Sequence, residues 1–435
     1  MSKKVLFLTY YWPPSGGSGV QRPLKFVKYL SNFGWVPIVY TVENPEYPEL
    51  DESLLKDVPE GLTVLKTPVW EPYNLYKFFT GQKKNNKINP NFFAKNQKRG
   101  LKDKVAIWIR SNLFIPDPRM FWIKPSIRFL TQYLAENKVE AIISTGPPHS
   151  VHLIAKGLAE KTDLPWIADF RDPWTNIDYF SELNLTSWGL NKHKRLEKEV
   201  LTKASAVLVV GNNMKEEFEA ITSKPVFLIP NGFDEADYQF DNELILDKKF
   251  TILHCGMLGK ARNHEAFWIA IKELIAENTE FGNDLEVLLY GKLDASIDES
   301  ITAHQLQNHV HKKGYIAHNQ VANLQRTAQV LLLPLNNSNN AKGVLTGKLF
   351  EYLAVQRPIL CVGPEDGDAA KIIAEANAGA TADFVDKVKI KSILLDFYLK
   401  FKNNNLFVAG NDVNKFSRKT LTGELGKVLD GLAES

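Results

Sequence analysis

Short apolar runs rich in β-branched residues alternate with stretches of helical periodicity, and they do so in two separate series, which leaves few folds open. The first series runs through Val5 to Tyr11, a helix with Val20, Leu24, Val27 and Leu30 on one face and Gly34 beyond its end, Pro37 to Val42, Ala141 to Thr145, Pro165 to Phe170, Ala206 to Val210 and Val226 to Ile229. Pro230-Asn231-Gly232 then punctuates the chain, and the polar stretch Asp234 to Lys249 reads as a linker. The second series opens at Phe250 with TILHCG and continues through a helix around Ala266 to Asn278, the strands LEVLLYG and VLLLPL, a helix over Gly347 to Val355, and the strand PILCVG. Strand-helix alternation repeated in this way argues for two doubly wound α/β domains, 1–232 and 233–410. The last segment, Asn411 to Leu432, reads as an amphipathic helix able to fold back over either domain.

A chain of 435 residues suits two or three domains, each large enough to bury a core. Its 44% hydrophobic and 24% charged composition excludes disorder and fibrous repeats. Cys255 and Cys361 both lie in apolar runs, where buried thiols are expected rather than a disulfide, so a reducing, cytoplasmic setting follows. The start, MSKKVLFLTYYWPP, is cut short by Pro13 and Pro14 before a secretory signal could form. No run approaches the roughly 20 apolar residues that span a bilayer.

The net charge of +3 hides a strong asymmetry. Between Tyr73 and Arg128 stand thirteen basic residues against Asp103 and Asp117, a local charge of +11 that leaves −8 for the rest of the chain. The basic residues are interleaved with Phe78, Phe79, Phe92, Phe93, Trp108, Phe114, Phe121 and Trp122. Aromatics with lysines and arginines suit an anionic membrane surface. A solvated insertion whose aromatics pack on the first domain is the plainer reading. No nucleic-acid recognition module accompanies the charge, so nucleic acid is not an expected partner.

Three loops carry candidate chemistry. Ser15-Gly16-Gly17-Ser18-Gly19 closes the first strand; it lacks the third glycine of a dinucleotide fingerprint, yet Gly17 and Gly19 allow close approach of a ligand to helix amides. Gly256-Met257-Leu258-Gly259-Lys260-Ala261-Arg262 follows the first strand of the second domain, and Arg262 offers a donor fork suited to phosphate. Leu345-Thr346-Gly347-Lys348 opens a helix with Thr346 as N-cap, an anion site in form. Leu349, Phe350, Leu353 and Ala354 form its buried stripe, which puts Lys348 and Glu351 together on the other side. Glu351, one turn from any phosphate, is placed to accept from a ribose diol, and the main chain at Tyr315 and Ile316 to read a base. The pair Lys348 and Glu351 is also what an ordinary amphipathic helix exposes.

In this order the motifs resemble those of the family-4 glycosyltransferases: the early glycine loop, Asp169-Phe170-Arg171-Asp172-Pro173-Trp174, Pro230-Asn231-Gly232-Phe233-Asp234, the Arg262 loop, Gly314-Tyr315-Ile316, and Lys348 to Ala354. The resemblance covers nearly the whole chain. It implies the GT-B fold, two Rossmann-like domains facing a central cleft, and retaining transfer of a sugar from a nucleotide-diphosphate donor without a metal or other cofactor. It implies that Arg262 and Lys348 stabilise the leaving diphosphate, with Asp169 and Asp172 at the reacting end; for Asp169, Arg171 and Asp172 a structural network anchoring the loop beside Trp174 is the plainer alternative. Gly17, Gly19, Gly256, Tyr315, Ile316, Leu345, Thr346, Gly347 and Glu351 would hold the donor, and His149 and Arg171 a glycan or lipid-linked acceptor. Two positions depart from the pattern. Gly343 stands where family members carry the first of two glutamates, so the amides of Val344 to Thr346 must supply its sugar contacts. Thr145 stands where many carry a histidine; His149 is either its nearest substitute or a helix-capping or buried histidine. Asp366-Gly367-Asp368 resembles a metal-binding motif of the other glycosyltransferase fold, but it opens a helix, where first-turn carboxylates are favoured by the dipole. A sugar-nucleotide epimerase of the same fold and a degenerate transferase acting as a membrane scaffold or glycan-binding subunit are the competing functions.

Overall fold

The computed structural model describes residues 3–45, 47, 49–71, 101–177, 180–240, 243–316, 318–408 and 413–434. It divides into two units, Met1–Pro230 with Arg418–Ser435, and Asn231–Ser417. The break thus falls two residues before the expected one, and the returning segment starts at Arg418 rather than 411.

Among the described residues, the first unit holds a parallel sheet of seven strands in the order β3-β2-β1-β4-β5-β6-β7. These are β1 (Lys3–Leu8), β2 (Trp35–Val42), β3 (Thr63–Thr67), β4 (Ala141–Gly146), β5 (Trp166–Phe170), β6 (Ala206–Val209) and β7 (Val226–Leu228). β1, β4 and β5 are buried almost throughout because helices cover both faces of a parallel sheet. Between the strands run α1 (Ser18–Leu30), α2 (Leu101–Leu113), α3 (Ile123–Glu136), α4 (Ser150–Thr162), α5 (Ser187–Lys203) and α6 (Asn212–Glu219). Val20, Leu24, Val27 and Leu30 of α1 are buried as their spacing predicts. Against them pack Leu421, Leu425 and Leu429 of the terminal helix, Arg418–Ala433. That helix can approach closely because Gly423 has no side chain; a Cβ there would come within 2.9 Å of the Phe33 ring.

The basic aromatic stretch is not a separate insertion where it is described. Residues 72–100, with Phe78, Phe79, Phe92 and Phe93, lie outside the described residues. The remainder forms α2, a 3-10 turn over Pro118–Trp122 and the start of α3. Trp122 is buried, stacked on Tyr40 with ring centroids 5.2 Å apart, and its indole N–H donates to Thr67 Oγ1 at 2.8 Å. Arg119 donates to Glu71 at 3.0 Å. Trp108 and Phe121 remain exposed. The aromatic set therefore splits between core and surface, a division that residue types cannot reveal because both uses favour the same rings.

The second unit, among the described residues, is a parallel sheet in the order β10-β9-β8-β11-β12-β13. Its strands are β8 (Phe250–Cys255), β9 (Leu285–Tyr290), β10 (Val310–Gly314), β11 (Val330–Pro334), β12 (Ile359–Val362) and β13 (Gly379–Ala382). One face is covered by α7 (Glu265–Glu277), α8 (Thr279–Asp284), α9 (Ala295–Ala303) and α13 (Lys387–Lys402), which share a core with Ile252, Val287 and Leu332. The other carries α10 (His318–Thr327), α11 (Gly347–Val355) and α12 (Asp368–Glu375) over Leu253, Cys255 and Leu331. Successive strands run outward from β8 to β10, then the chain returns to β11 on the other side of β8. That reversal makes β8 and β11 the switch point, where open α/β sheets bind ligands beyond their strand ends.

Candidate functional site

The switch point of the second unit is opened by short pairing. β8 and β11 are in register only at Ile252 with Val330 and Leu253 with Leu331, after which they part. The carbonyl of Leu332, left between them, accepts from His254 Nδ1 at 3.0 Å and from the Tyr352 hydroxyl at 3.3 Å. Because a carbonyl only accepts, His254 carries its proton on Nδ1. Burial pushes the His254 pKa down to about 4, and the charges of Lys348 and Arg262 push the same way. Both cations thus bear on the carboxyl end of β8.

Lys348 reaches that end through Gly256. This residue has φ +129, and a Cβ on it would lie 2.4 Å from Lys348 Nζ, so any side chain there would displace the ammonium. Lys348 comes from the first turn of α11, whose N-cap is Thr346 as expected. The Thr346 hydroxyl is buried without a partner and does not cap the helix, leaving first-turn amides free of a side-chain acceptor. The buried stripe of α11 is wider than predicted, with Tyr352 and Val355 added to Leu349, Phe350 and Leu353 while Ala354 is only half-buried. Lys348 and Glu351 are half-buried and make no ion pair with each other, unlike a solvated surface pair. Glu351 accepts from Gln325 Nε2 at 3.3 Å, one turn along the helix from Lys348.

Arg262 ends a 3-10 turn, Lys260–Arg262, and its Nε donates to Asn336 Oδ1 at 2.8 Å. Burial lowers its pKa, yet it stays charged as guanidinium does. Among the described residues no carboxylate pairs with either cation, and a helix N-terminus lies behind them, an arrangement whose chemistry suits a polyanion. Tyr315 is 89% exposed just past β10, with Ile316 beside it. Leu345 and Gly343 are half-buried in the loop leading to α11; a Cβ on Gly347 would meet nothing within 4 Å. Of the aspartates in Asp366-Gly367-Asp368, Asp366 pairs with Lys342, and Asp368 is buried in the first turn of α12.

The first unit arranges its polar residues differently. Asp169, expected to face the reacting sugar, is wholly buried at the end of β5. It accepts from Arg22 Nη2 at 2.8 Å and from the Thr145 hydroxyl at 2.8 Å. Arg22 also donates to the Pro230 carbonyl at 2.9 Å. Arg171 is buried too, and its guanidinium donates to the carbonyls of Gly19, Gly146 and Pro147, which ties together the loops after β1 and β4. The expectation that both face outward is corrected here: a charge out of water persists only with partners, and these have them within the fold. Asp172 is exposed and keeps an outward position. Gly17 is the N-cap of α1 with φ +83, and Gly19 lies in its first turn against Arg171 and Tyr11.

His149 precedes α4 and stacks flat on Trp174, with centroids 4.3 Å apart. Burial holds its pKa well below the usual value, as do His152, His193 and Arg171 around it. It does not cap α4; Asp117 does, accepting from Ser150 N–H and its hydroxyl at 2.8 Å each. His152, buried beneath, has its pKa pushed down to about 3 by burial. Sequence reasoning did not single out Arg22, His152 or Asn336. An arginine one turn before Phe26, on a helix face otherwise apolar, was a signal for Arg22; its partner lies 147 residues away and was not legible.

Comparison with known proteins agrees with this architecture. Residues 85–237 match the model of Glycosyltransferase Family 4. No curated protein matches the chain. Among solved structures, HepE of Anabaena in complex with UDP-glucose is 12% identical with a TM-score of 0.59, over 98% of this chain and 99% of that one. A TarM variant of S. aureus, solved with Fondaparinux, alpha-GlcNAc-glycerol and UDP, is 11% identical with a TM-score of 0.59, over the whole of both chains. A proposed UDP-N-acetylglucosamine 2-epimerase of Listeria monocytogenes is 11% identical with a TM-score of 0.55, over 100% of this chain and 98% of that one. Given the family match over 85–237 and two Rossmann-like parallel sheets shared with these proteins, the chain has the GT-B fold and resembles the family-4 glycosyltransferases built on it.

Proposed function

We propose that the protein is a retaining, metal-independent glycosyltransferase that moves a sugar from a nucleotide-diphosphate donor to a glycan or lipid-linked acceptor. The observation that carries this reading is the placement of Lys348 against Gly256, with Arg262 at the same strand ends, at the switch point of the second unit. Breaking a sugar-phosphate bond builds negative charge on the leaving diphosphate, and cations with helix amides stabilise it. Glu351, one turn on, takes the ribose diol, and the backbone at Tyr315 and Ile316 the base. With Gly343 in place of a glutamate, the amides of Val344 to Thr346 contact the donor sugar. In the first unit, Asp172 and His149 orient the acceptor, while Asp169 and Arg171 hold the loops that present them.

Calorimetry with a panel of nucleotide sugars tests the donor site: at least one member binds, and Glu351→Ala weakens it. Binding of none, or unchanged affinity in Glu351→Ala, overturns the assignment. The epimerase fold neighbour keeps a second reading in play. Conversion of the nucleotide sugar with no acceptor present would favour it over transfer.

The acceptor reading extends to the membrane. No described helix is long and apolar enough to cross one. The proposal is peripheral attachment through exposed Trp108 and Phe121 with Lys124 and Arg128, which are also exposed. Each basic residue at an anionic surface contributes about 1 kcal/mol, enough together for reversible binding. Flotation with liposomes of graded anionic lipid content is the test, and binding indifferent to that content rejects it.

A further inference from the structure

The loops that follow β8 and β11 are fastened to each other across the switch point. His264 Nε2 donates to the Leu335 carbonyl at 2.9 Å, Arg262 Nε donates to Asn336 Oδ1 at 2.8 Å, and the Asn337 N–H donates to the Ala261 carbonyl at 3.0 Å. Three consecutive residues of one loop thus hold three positions of the other. His264 is buried and held below its usual pKa mainly by burial; as the acceptor is a carbonyl, its proton sits on Nε2. The loop that begins at Leu335 runs on to Thr346 and Lys348, so the clamp joins the arginine arm of the site to its lysine arm.

Only one of the three contacts touches a charged side chain. Asn336 takes the Nε of Arg262, and among the described residues the guanidinium makes one further contact, a long one from Nη1 to the Met257 carbonyl at 3.5 Å. A guanidinium has five N–H donors in a fixed plane, so fixing Nε fixes the direction of the remaining ones. An uncharged amide oxygen does this without neutralising the arginine. An aspartate in the same place would form an ion pair and compete with any bound phosphate.

We infer that Asn336 is a positioning residue for diphosphate recognition: it aims the Arg262 fork without cancelling its charge. This rests on the reading of Arg262 and Lys348 as the diphosphate site. The test uses the nucleoside diphosphate that the wild-type protein binds from a panel of UDP, GDP, ADP and dTDP, with the matching nucleoside as a control that lacks phosphate. Asn336→Ala weakens the diphosphate about tenfold, which corresponds to about 1.4 kcal/mol, and leaves the nucleoside unchanged. Asn336→Asp weakens it further. In the Arg262→Ala background, Asn336→Ala produces no additional loss, an outcome that a merely structural role for Asn336 would not give. Equal loss for diphosphate and nucleoside, or full additivity of the two substitutions, overturns the inference. If Arg262→Ala and Lys348→Ala both leave diphosphate affinity intact, or no diphosphate binds, the diphosphate site itself is misplaced and the inference falls with it.

Discussion

The strand ends of the two units are built from the same secondary structure and use their charges in opposite ways. In the first unit, Arg22 and Asp169 are 1% and 0% exposed and paired with one another, while Arg171 is committed to three carbonyls. In the second, Lys348 and Arg262 are half-buried, and among the described residues neither has a carboxylate ion-pair partner. A closed network ties its own strand ends together, whereas an open pair of cations keeps its charge available, which is why the proposed diphosphate site is placed there. The lesson is that a heavily charged motif in a sequence can be spent wholly on contacts within the fold.

The sharpest way to break this contrast is through stability. Asp169→Ala leaves the buried Arg22 guanidinium without its carboxylate and costs about 3–5 kcal/mol, read from urea denaturation. Trp122→Ala, which removes a buried ring from the same unit, costs about 3–5 kcal/mol as well. An unfolding midpoint unchanged by either substitution would mean that the first unit is not the self-satisfied edge described.

Somewhat smaller in energy, but expressed in rate rather than stability, are the effects at the open site. Lys348→Ala and Arg262→Ala each reduce kcat by about 10² to 10³, equivalent to roughly 2.7–4 kcal/mol of transition-state stabilisation, with the denaturation midpoint nearly unmoved. Loss of stability in parallel with activity would make these cations structural. Gly256→Ala, whose new Cβ would fall 2.4 Å from Lys348 Nζ, should weaken donor binding in the same assay.

The most gradual effect is a pH dependence that both units share. His152 and His254 have pKa values pushed to about 3 and about 4 by burial, against 6.5 for the free side chain. The unfolded chain therefore binds protons that the folded one refuses, so stability is complete above pH 6.5 and falls as pH drops toward 4. The slope is at most about 1.4 kcal/mol per pH unit for each such histidine. Flat denaturation midpoints between pH 7 and 4.5 would contradict their burial as neutral rings.

Much of this was legible before any coordinates. Alternating runs define strands and helices locally, so β1, β8, α1 and α11 lie where their periodicity places them. Pro230-Asn231-Gly232 marks the unit boundary because no regular element tolerates it. Lys348 and Glu351 were paired by helical spacing alone. The failures concern residues whose role depends on a distant partner. The resemblance places Asp169 and Arg171 toward the reactants, with a structural network beside Trp174 as the alternative, and the buried pair of Asp169 with Arg22, from a helix far earlier in the chain, decides for the network.

What the amino-acid sequence determined by itself was therefore the order of elements, the two-unit division and the loops that join the elements, since each follows from local periodicity and turn residues. Tertiary structure decided which charges those loops keep. Whether Trp122 or Trp108 faces water, whether Asp169 is a ligand group or half of a buried pair, and whether Asn336 meets Arg262 all depend on contacts between segments distant in the chain. A charge removed from water is stable only beside a partner, and that partner is supplied by the fold.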